Sequence, residues 1–285
     1  MIDLHVHTTA SDGQYSPSQI IQMAAEKDFK AIAITDHDTV AGIPEAKLVA
    51  EKYNITLIPG TELNINTKRG EFHLLGLGLQ KESTSLKKLL EELQKNRFLR
   101  NQEIVSKMQN AGIDISIEEI QNNFPNTEIG RPHLAKMLVL KKIVKTNQQA
   151  FDKYLGQGRP FFVQRVGANL DEAIIAIRES GGVPVLAHPM SLYISWGKLP
   201  DVLKDYFERG IAGLEAYHPG AKMGDCIRLE ELGRKIGYFI TAASDFHGEK
   251  IRADRKLGHT TGNKKIDDKF YFEELLPALK SQEIL

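Results

Sequence analysis

Seven short apolar runs recur along this chain, and each carries a histidine, aspartate or glutamate at or near its end. They are LHVH (residues 4–7), AIAITDHD (31–38), LIPGTELN (57–64), EFHLLGLG (71–78), VPVLAHP (183–189), IAGLEAYHP (211–219) and FITAASDFHG (239–248). Runs this short, separated by amphipathic segments of helical period, predict βα units around a largely parallel sheet. The intervening helices are expected near Pro17–Lys27, Pro44–Tyr53, in LDEAIIAIRESGG (170–182) with its glycine stop, and near Leu199–Arg209 and Met223–Ile236. Residues 2–6 are read as the first strand, whose alternation sends His5 and His7 to one face.

Between residues 83 and 166 the pattern changes. SLKKLLEELQKNRFLRNQEIVSKMQNAG predicts a long charged helix with a glycine stop, and no strand signal follows it before residue 167. The chain is therefore expected to fold as one α/β, barrel-like domain, residues 1–82 and 167–285, with a helical insertion at 83–166 acting as a substrate cap.

Charge and cysteine content narrow the chemistry. Lys plus Arg and Asp plus Glu are both 37, so a formal net charge of zero supplies no global field for gripping long nucleic acid or an anionic membrane. No apolar stretch approaches the roughly 20 residues that span a bilayer, and no leader pattern is evident, which predicts a cytoplasmic chain without a membrane partner. The single cysteine, Cys226, excludes an intrachain disulfide and a thiolate metal cluster, and its helical context predicts an inert residue.

Any metal site must then use His, Asp and Glu. Barrel enzymes assemble their sites at the C-terminal ends of their strands, so the residues closing these runs are expected to converge. Each has a bland alternative: His73 as a core histidine, Asp36 as a helix cap, His188 as a strand terminus. Together they point to metal, because buried carboxylates and imidazoles are costly unless they pair or coordinate. The mixed donors suit Zn²⁺, Mn²⁺ or Fe²⁺. More than eight candidates, at three or four ligands per ion, imply two or three divalent ions sharing a bridging carboxylate, for which Glu62 is the candidate.

The motifs DLHVHTTASDG, ITDHDTVAG, PGTELN, HLLGLG, AHP, EAYHP and SDFHG, in this order, resemble the polymerase and histidinol phosphatase (PHP) superfamily. The resemblance covers nearly the whole chain and is strongest to a small-phosphatase branch, similar to 3′,5′-nucleoside bisphosphate phosphatases, which includes 5′-3′ exoribonucleases acting on short RNA. It implies a distorted (β/α)7 TIM-like barrel of the PHP fold with a trinuclear metal centre. Carried over by motif, His5, His7, Glu62 and Asp245 would hold the first ion, Glu62, His73 and His188 the second, and Asp12, His37 and His247 the third. Asp36 is read as a partner orienting a ligand histidine, and Asp38 as supporting structure.

In the insertion, EIGRPHLAKML offers Arg131 and His133, and YLGQGRPFFVQR offers Arg159 and Arg165. The resemblance places an arginine of the RPH element over the active site, where a planar guanidinium holds phosphate bidentately. Read from the residues alone, Arg131 also fits as the residue before a helix starting at Pro132. His218 is expected to face the substrate and to protonate or position the leaving oxygen, while Glu215 and His259 have no assigned role.

The expected activity is metal-dependent hydrolysis of nucleotide phosphomonoesters, foremost the 3′-phosphate of nucleoside 3′,5′-bisphosphates. A nucleoside monophosphate and the 5′ end of a short 5′-phosphorylated RNA fit nearly as well. Histidinol phosphate is disfavoured by the insertion. An inactive, metal-stabilised nucleotide-binding module is the alternative of a different class, opposed by a competent ligand at every expected position.

Overall fold

The computed structural model describes residues 1–67, 70–125 and 127–282. They form two compact units, Met1–Leu90 with Gly167–Leu285, and Glu91–Val166.

The first unit alternates strand and helix as the periodicity predicts. β1 (Ile2–Asp3) leads to α1 (Pro17–Glu26), β2 (Ala31–Ile34), α2 (Ile43–Tyr53), β3 (Thr56–Ile65) and β4 (Phe72–Leu77). α1 starts where it does because Ser16 and Gln19 form a reciprocal capping box and Pro17 occupies the first turn. Its buried face, Ile20, Ile21 and Ala24, packs with Ile32 and Ile34 of β2 and with Ala46 and Ala50 of α2.

The helix α3 (Thr84–Asn110) runs from the first unit into the second. That second unit continues with α4 (Ile117–Asn123), α5 (Arg131–Leu140) and α6 (Asn147–Ala150), and it contains no strand among the described residues. It has its own core, in which Ile104, Val105 and Met108 meet Leu134, Met137, Leu138 and Phe161.

The chain returns to the first unit through α7 (Leu170–Glu179), β5 (Val183–Leu186), α8 (Leu199–Glu208), β6 (Gly213–Tyr217), α9 (Met223–Ile236) and β7 (Phe239–Ala242). A small hairpin, β8 (His259–Thr260) with β9 (Lys264–Lys265), and α10 (Leu276–Gln282) complete it. α9 stops at Gly237, whose φ of 118° lies in the left-handed region that glycine alone adopts freely.

The seven strands β1 to β7 lie in sequence order in one sheet. All neighbours are parallel except β3 with β4 and β4 with β5, because β4 runs backwards between them. A parallel bridge between Val6 and Phe246, with the His7 N–H donating to the Phe246 carbonyl at 2.9 Å, brings the two ends of the sheet together. The result is the distorted seven-stranded barrel that the family resemblance implies.

The first strand is shorter than its pattern predicts. Beyond Asp3 the pairing is piecemeal: the Thr35 N–H donates to the Val6 carbonyl at 2.9 Å, the Val6 N–H turns to Thr35 Oγ1, and the Asp3 carboxylate accepts from the Ser244 and Gly258 N–H groups. His5 and His7 therefore stand on irregular backbone that these side chains hold in place. Among the described residues no helix is long and apolar enough to cross a membrane.

Candidate metal centre

The strand ends converge within the first unit. His5 and His7 follow β1, Asp12 lies in the next loop, and His37 follows β2. Glu62 lies within β3, His73 within β4, His188 follows β5, and Asp245 and His247 follow β7. Seven of these nine residues are at most 8% exposed, and the side chains of His37 and His188 are only slightly more so.

Glu62 is the hub. Its Oε1 lies 2.9 Å from His73 Nδ1, 3.0 Å from His188 Nε2 and 3.4 Å from His5 Nε2. Its Oε2 lies 2.8 Å from His37 Nδ1 and 3.3 Å from His7 Nε2. A second focus forms where His5 Nε2 and His7 Nε2 stand 3.1 Å apart, with Asp245 Oδ1 at 3.7 and 3.4 Å from them. A third surrounds Asp12, whose oxygens are 3.4 Å from His247 Nε2, 3.8 Å from His7 Nδ1 and 3.9 Å from His37 Nε2. His7 thus borders two foci, and His37 reaches from Asp12 to Glu62.

These residues fit divalent metal on two counts. Ligand atoms held about 2.1 Å from a shared ion stand roughly 3.0–3.4 Å from one another, which is the spacing seen around Glu62 and between His5 and His7. In addition, His7 Nδ1, His37 Nδ1, Glu62 Oε2 and His73 Nε2 are buried without an aligned hydrogen bond, a costly arrangement that coordination relieves. Three groupings bring donors within 4.8 Å of one another: His7, Asp12, His37 and His247; His5, His7 and Asp245; and His37, Glu62 and His73.

Surrounding groups aim the rings. His5 Nδ1 faces Glu215 Oε1 at 2.9 Å, leaving Nε2 for the cluster. The Ser191 hydroxyl donates to the Glu71 carbonyl at 2.8 Å, so its lone pair receives His188 Nδ1–H at 2.9 Å and Nε2 turns to Glu62. His247 Nδ1 lies 2.9 Å from the Asp245 carbonyl, which turns its Nε2 to Asp12. Such partners fix tautomer and orientation before metal arrives.

Charge is distributed accordingly. Burial works against the carboxylates of Asp12, Glu62 and Asp245, but the imidazoles around them outweigh it and hold all three well below the usual carboxylate range. Burial also opposes the charge of His5, yet Glu62 and Glu215 hold it well above its ordinary value. Asp12 and Asp245 similarly hold His247 at about 9 against burial. Burial, reinforced by the charge of His247, pushes His7 down to about 3.

Glu215 is a residue whose role the motifs leave open. It is fully buried, and its second oxygen accepts from the His188 N–H at 2.8 Å. The signal that could have found it is a glutamate inside a strand whose neighbours Leu214 and Ala216 are core residues. Asp36 acts differently from the expectation that it orients a histidine. It accepts from the Thr8 N–H, the Thr8 hydroxyl and the Ser11 hydroxyl at 2.7, 2.7 and 2.6 Å, fixing the loop that presents Asp12. Asp38 accepts from the Asn64 N–H at 2.9 Å.

His218 is buried at the end of β6. Its Nδ1 accepts from the Gly220 N–H at 3.0 Å, which leaves Nε2–H to donate to Asp245 Oδ2 at 3.1 Å. The remaining candidates belong to the second unit. Arg131 opens α5 with its guanidinium 5.8 Å from the centre of the Phe162 ring. His133 Nδ1 accepts from the Gly130 N–H at 2.9 Å, and its ring meets Phe124 edge-on. Arg159 is exposed and Arg165 half-buried.

Comparison with known proteins gives consistent matches. Residues 3–155 match the sequence profile of the PHP domain. A 5′-3′ exoribonuclease of Haemophilus influenzae is 32% identical over 86% of this chain and 89% of its own length. A 3′,5′-nucleoside bisphosphate phosphatase of Chromobacterium violaceum is 30% identical over 91% of each. Among solved structures, an amidohydrolase from Chromobacterium violaceum with bound sulfate and no metal superimposes with a TM-score of 0.84 at 28% identity, covering 99% of this chain and 96% of that one.

Proposed function

Since the chain belongs to the PHP domain family, we propose that its metal-dependent phosphoesterase chemistry is directed at nucleotide phosphomonoesters, foremost the 3′-phosphate of nucleoside 3′,5′-bisphosphates. The observation that carries the chemistry is Glu62, one buried carboxylate facing five imidazoles, those of His5, His7, His37, His73 and His188. The mixed nitrogen and oxygen donors suit two or three ions of Mn²⁺, Zn²⁺ or Fe²⁺, held by His5, His7, Asp12, His37, Glu62, His73, His188, Asp245 and His247. Bound there, such ions supply water acidified from a pKa of about 15.7 toward roughly 7 and neutralise charge on a phosphoryl group.

The protein's own part is orientation. Glu215, Ser191 and the Asp245 carbonyl hold the ligand rings, and Asp36 holds the loop of Asp12. His218 is assigned to protonating or positioning the leaving oxygen, for which its Nε2–H would turn from Asp245 Oδ2 to the substrate. Arg131, with His133, Arg159 and Arg165, is assigned to binding substrate phosphate, Arg131 through its planar fork.

Hydrolysis from the 5′ end of a short phosphorylated RNA is the second reading, favoured by the 32% identical relative named as an exoribonuclease. The test offers adenosine 3′,5′-bisphosphate, AMP and a 5′-phosphorylated RNA pentamer together to manganese-reconstituted protein, with Asp245→Ala as control. Conversion of the bisphosphate to AMP is the expected result. Stepwise shortening of the pentamer with the bisphosphate untouched would replace this reading by the second.

A further inference from the structure

The segment after the SDFHG motif carries two arginines, Arg252 and Arg255, to which no motif assigns a role. Arg255 is only 5% exposed, an unusual position for a guanidinium. Its Nε and Nη1 are buried without a hydrogen bond, and its ion-pair partner, Asp254, lies 3.4 Å away with a carboxylate that is 62% exposed. A buried charge held by so long a contact is costly unless something completes it.

Its surroundings say what that is. Arg255 Nη2 and the His218 ring both lie against Gly220: a Cβ there would stand 3.3 Å from Nη2 and 2.9 Å from His218 Nδ1. His218 in turn donates to the proposed ligand Asp245 at 3.1 Å, so Arg255 packs one side chain away from the metal cluster, and Arg252 is tied to it through the shared Asp254 carboxylate. The negative charges of Asp245 and Glu215 favour the Arg255 guanidinium there. The two arginines also repel each other, and both lean on the one carboxylate of Asp254. A group that satisfies two mutually repelling guanidiniums beside a metal cluster is an anion with several acceptor oxygens.

We propose that Arg255, assisted by Arg252, is a phosphate-binding site built into the barrel, receiving the substrate's reacting phosphoryl group beside Asp245 and His218. It deepens the phosphoesterase reading and rests on it. The barrel unit then carries both the metal ligands and the cations that grip the phosphoryl group.

The test is calorimetric titration of inorganic phosphate into manganese-loaded protein, with metal content measured on the same samples. Wild type is expected to bind phosphate, and Arg255→Met to bind at least about tenfold more weakly at unchanged manganese content. Arg255→Lys should recover part of the loss, since it restores charge without the fork. Turnover of adenosine 3′,5′-bisphosphate should fall in Arg255→Met, because its reacting 3′-phosphate loses the cation that grips it. Should Arg255→Met fail to fold, Arg252→Met carries the test, its side chain being 43% exposed, and several-fold weaker phosphate binding is expected. Full phosphate affinity in a folded, manganese-loaded arginine variant overturns the site and leaves the phosphoesterase reading standing. Absence of phosphate binding in loaded wild type that still hydrolyses the bisphosphate overturns the site alone, whereas absence of both binding and hydrolysis overturns the phosphoesterase reading as well.

Discussion

Glu215→Gln isolates the contribution of ring orientation to metal binding. Glutamate offers two acceptors here, one to His5 Nδ1–H at 2.9 Å and one to the His188 N–H at 2.8 Å. Glutamine keeps the shape but replaces one acceptor by an NH₂ donor, so whichever way the amide turns, a buried donor faces another donor. That costs about 1–3 kcal/mol, and with tenfold per 1.4 kcal/mol it corresponds to roughly 5- to 150-fold weaker metal binding. The His188 side is the more demanding one, because its backbone sits at φ 26°, strained for a residue with a Cβ, and Glu215 is the group that holds its N–H. The assay is manganese affinity by competition with a chelator, alongside thermal unfolding of the metal-free variant. A folded Glu215→Gln protein that binds manganese within about twofold of wild type would refute the reasoning.

Further outcomes follow from other parts of the first unit. His247, held at about 9 against an ordinary 6.5, stabilises the metal-free protein fully below pH 6.5, and that contribution is lost as pH climbs through 9. Metal must displace this proton, so the rise in melting temperature on adding Mn²⁺ should grow between pH 6.5 and 9, and an equal rise at both ends counts against it. Asp36→Asn leaves one of three donors from Thr8 and Ser11 facing an NH₂, and urea unfolding should register a loss of about 1–3 kcal/mol. Gly237→Ala forces a Cβ to within 2.9 Å of Phe207 Cζ at φ 118°, with an expected loss of about 1–3 kcal/mol by the same measurement. Cys226 is fully buried and burial raises its thiol, so a thiol reagent should leave the native protein unlabelled and modify it only after unfolding.

Local pattern was enough for the alternation of strands and helices, though not for the reversed direction of β4. Helix period placed α1, α2, α8 and α9 within about a residue or two of their observed ends, since that signal is local. The ligand candidates were legible for a similar reason: a histidine or carboxylate closing an apolar run stands out against its neighbours, and barrel geometry sends all such ends to one mouth. Long-range placement settled what pattern left open. At the end of β1, Asp3 bonds Ser244 and Gly258, residues more than 200 positions away. Glu215 reaches across the barrel to His5, Asp36 braces a loop in place of a ring, and Arg255 is buried beside Gly220. Each of these depends on which distant backbones the closed sheet brings within about 3 Å and on which ring nitrogen or carboxylate oxygen then faces inward. Sequence spacing carries no information about either, because hydrogen bonds and coordination are decided by distances between atoms that only the folded barrel makes neighbours.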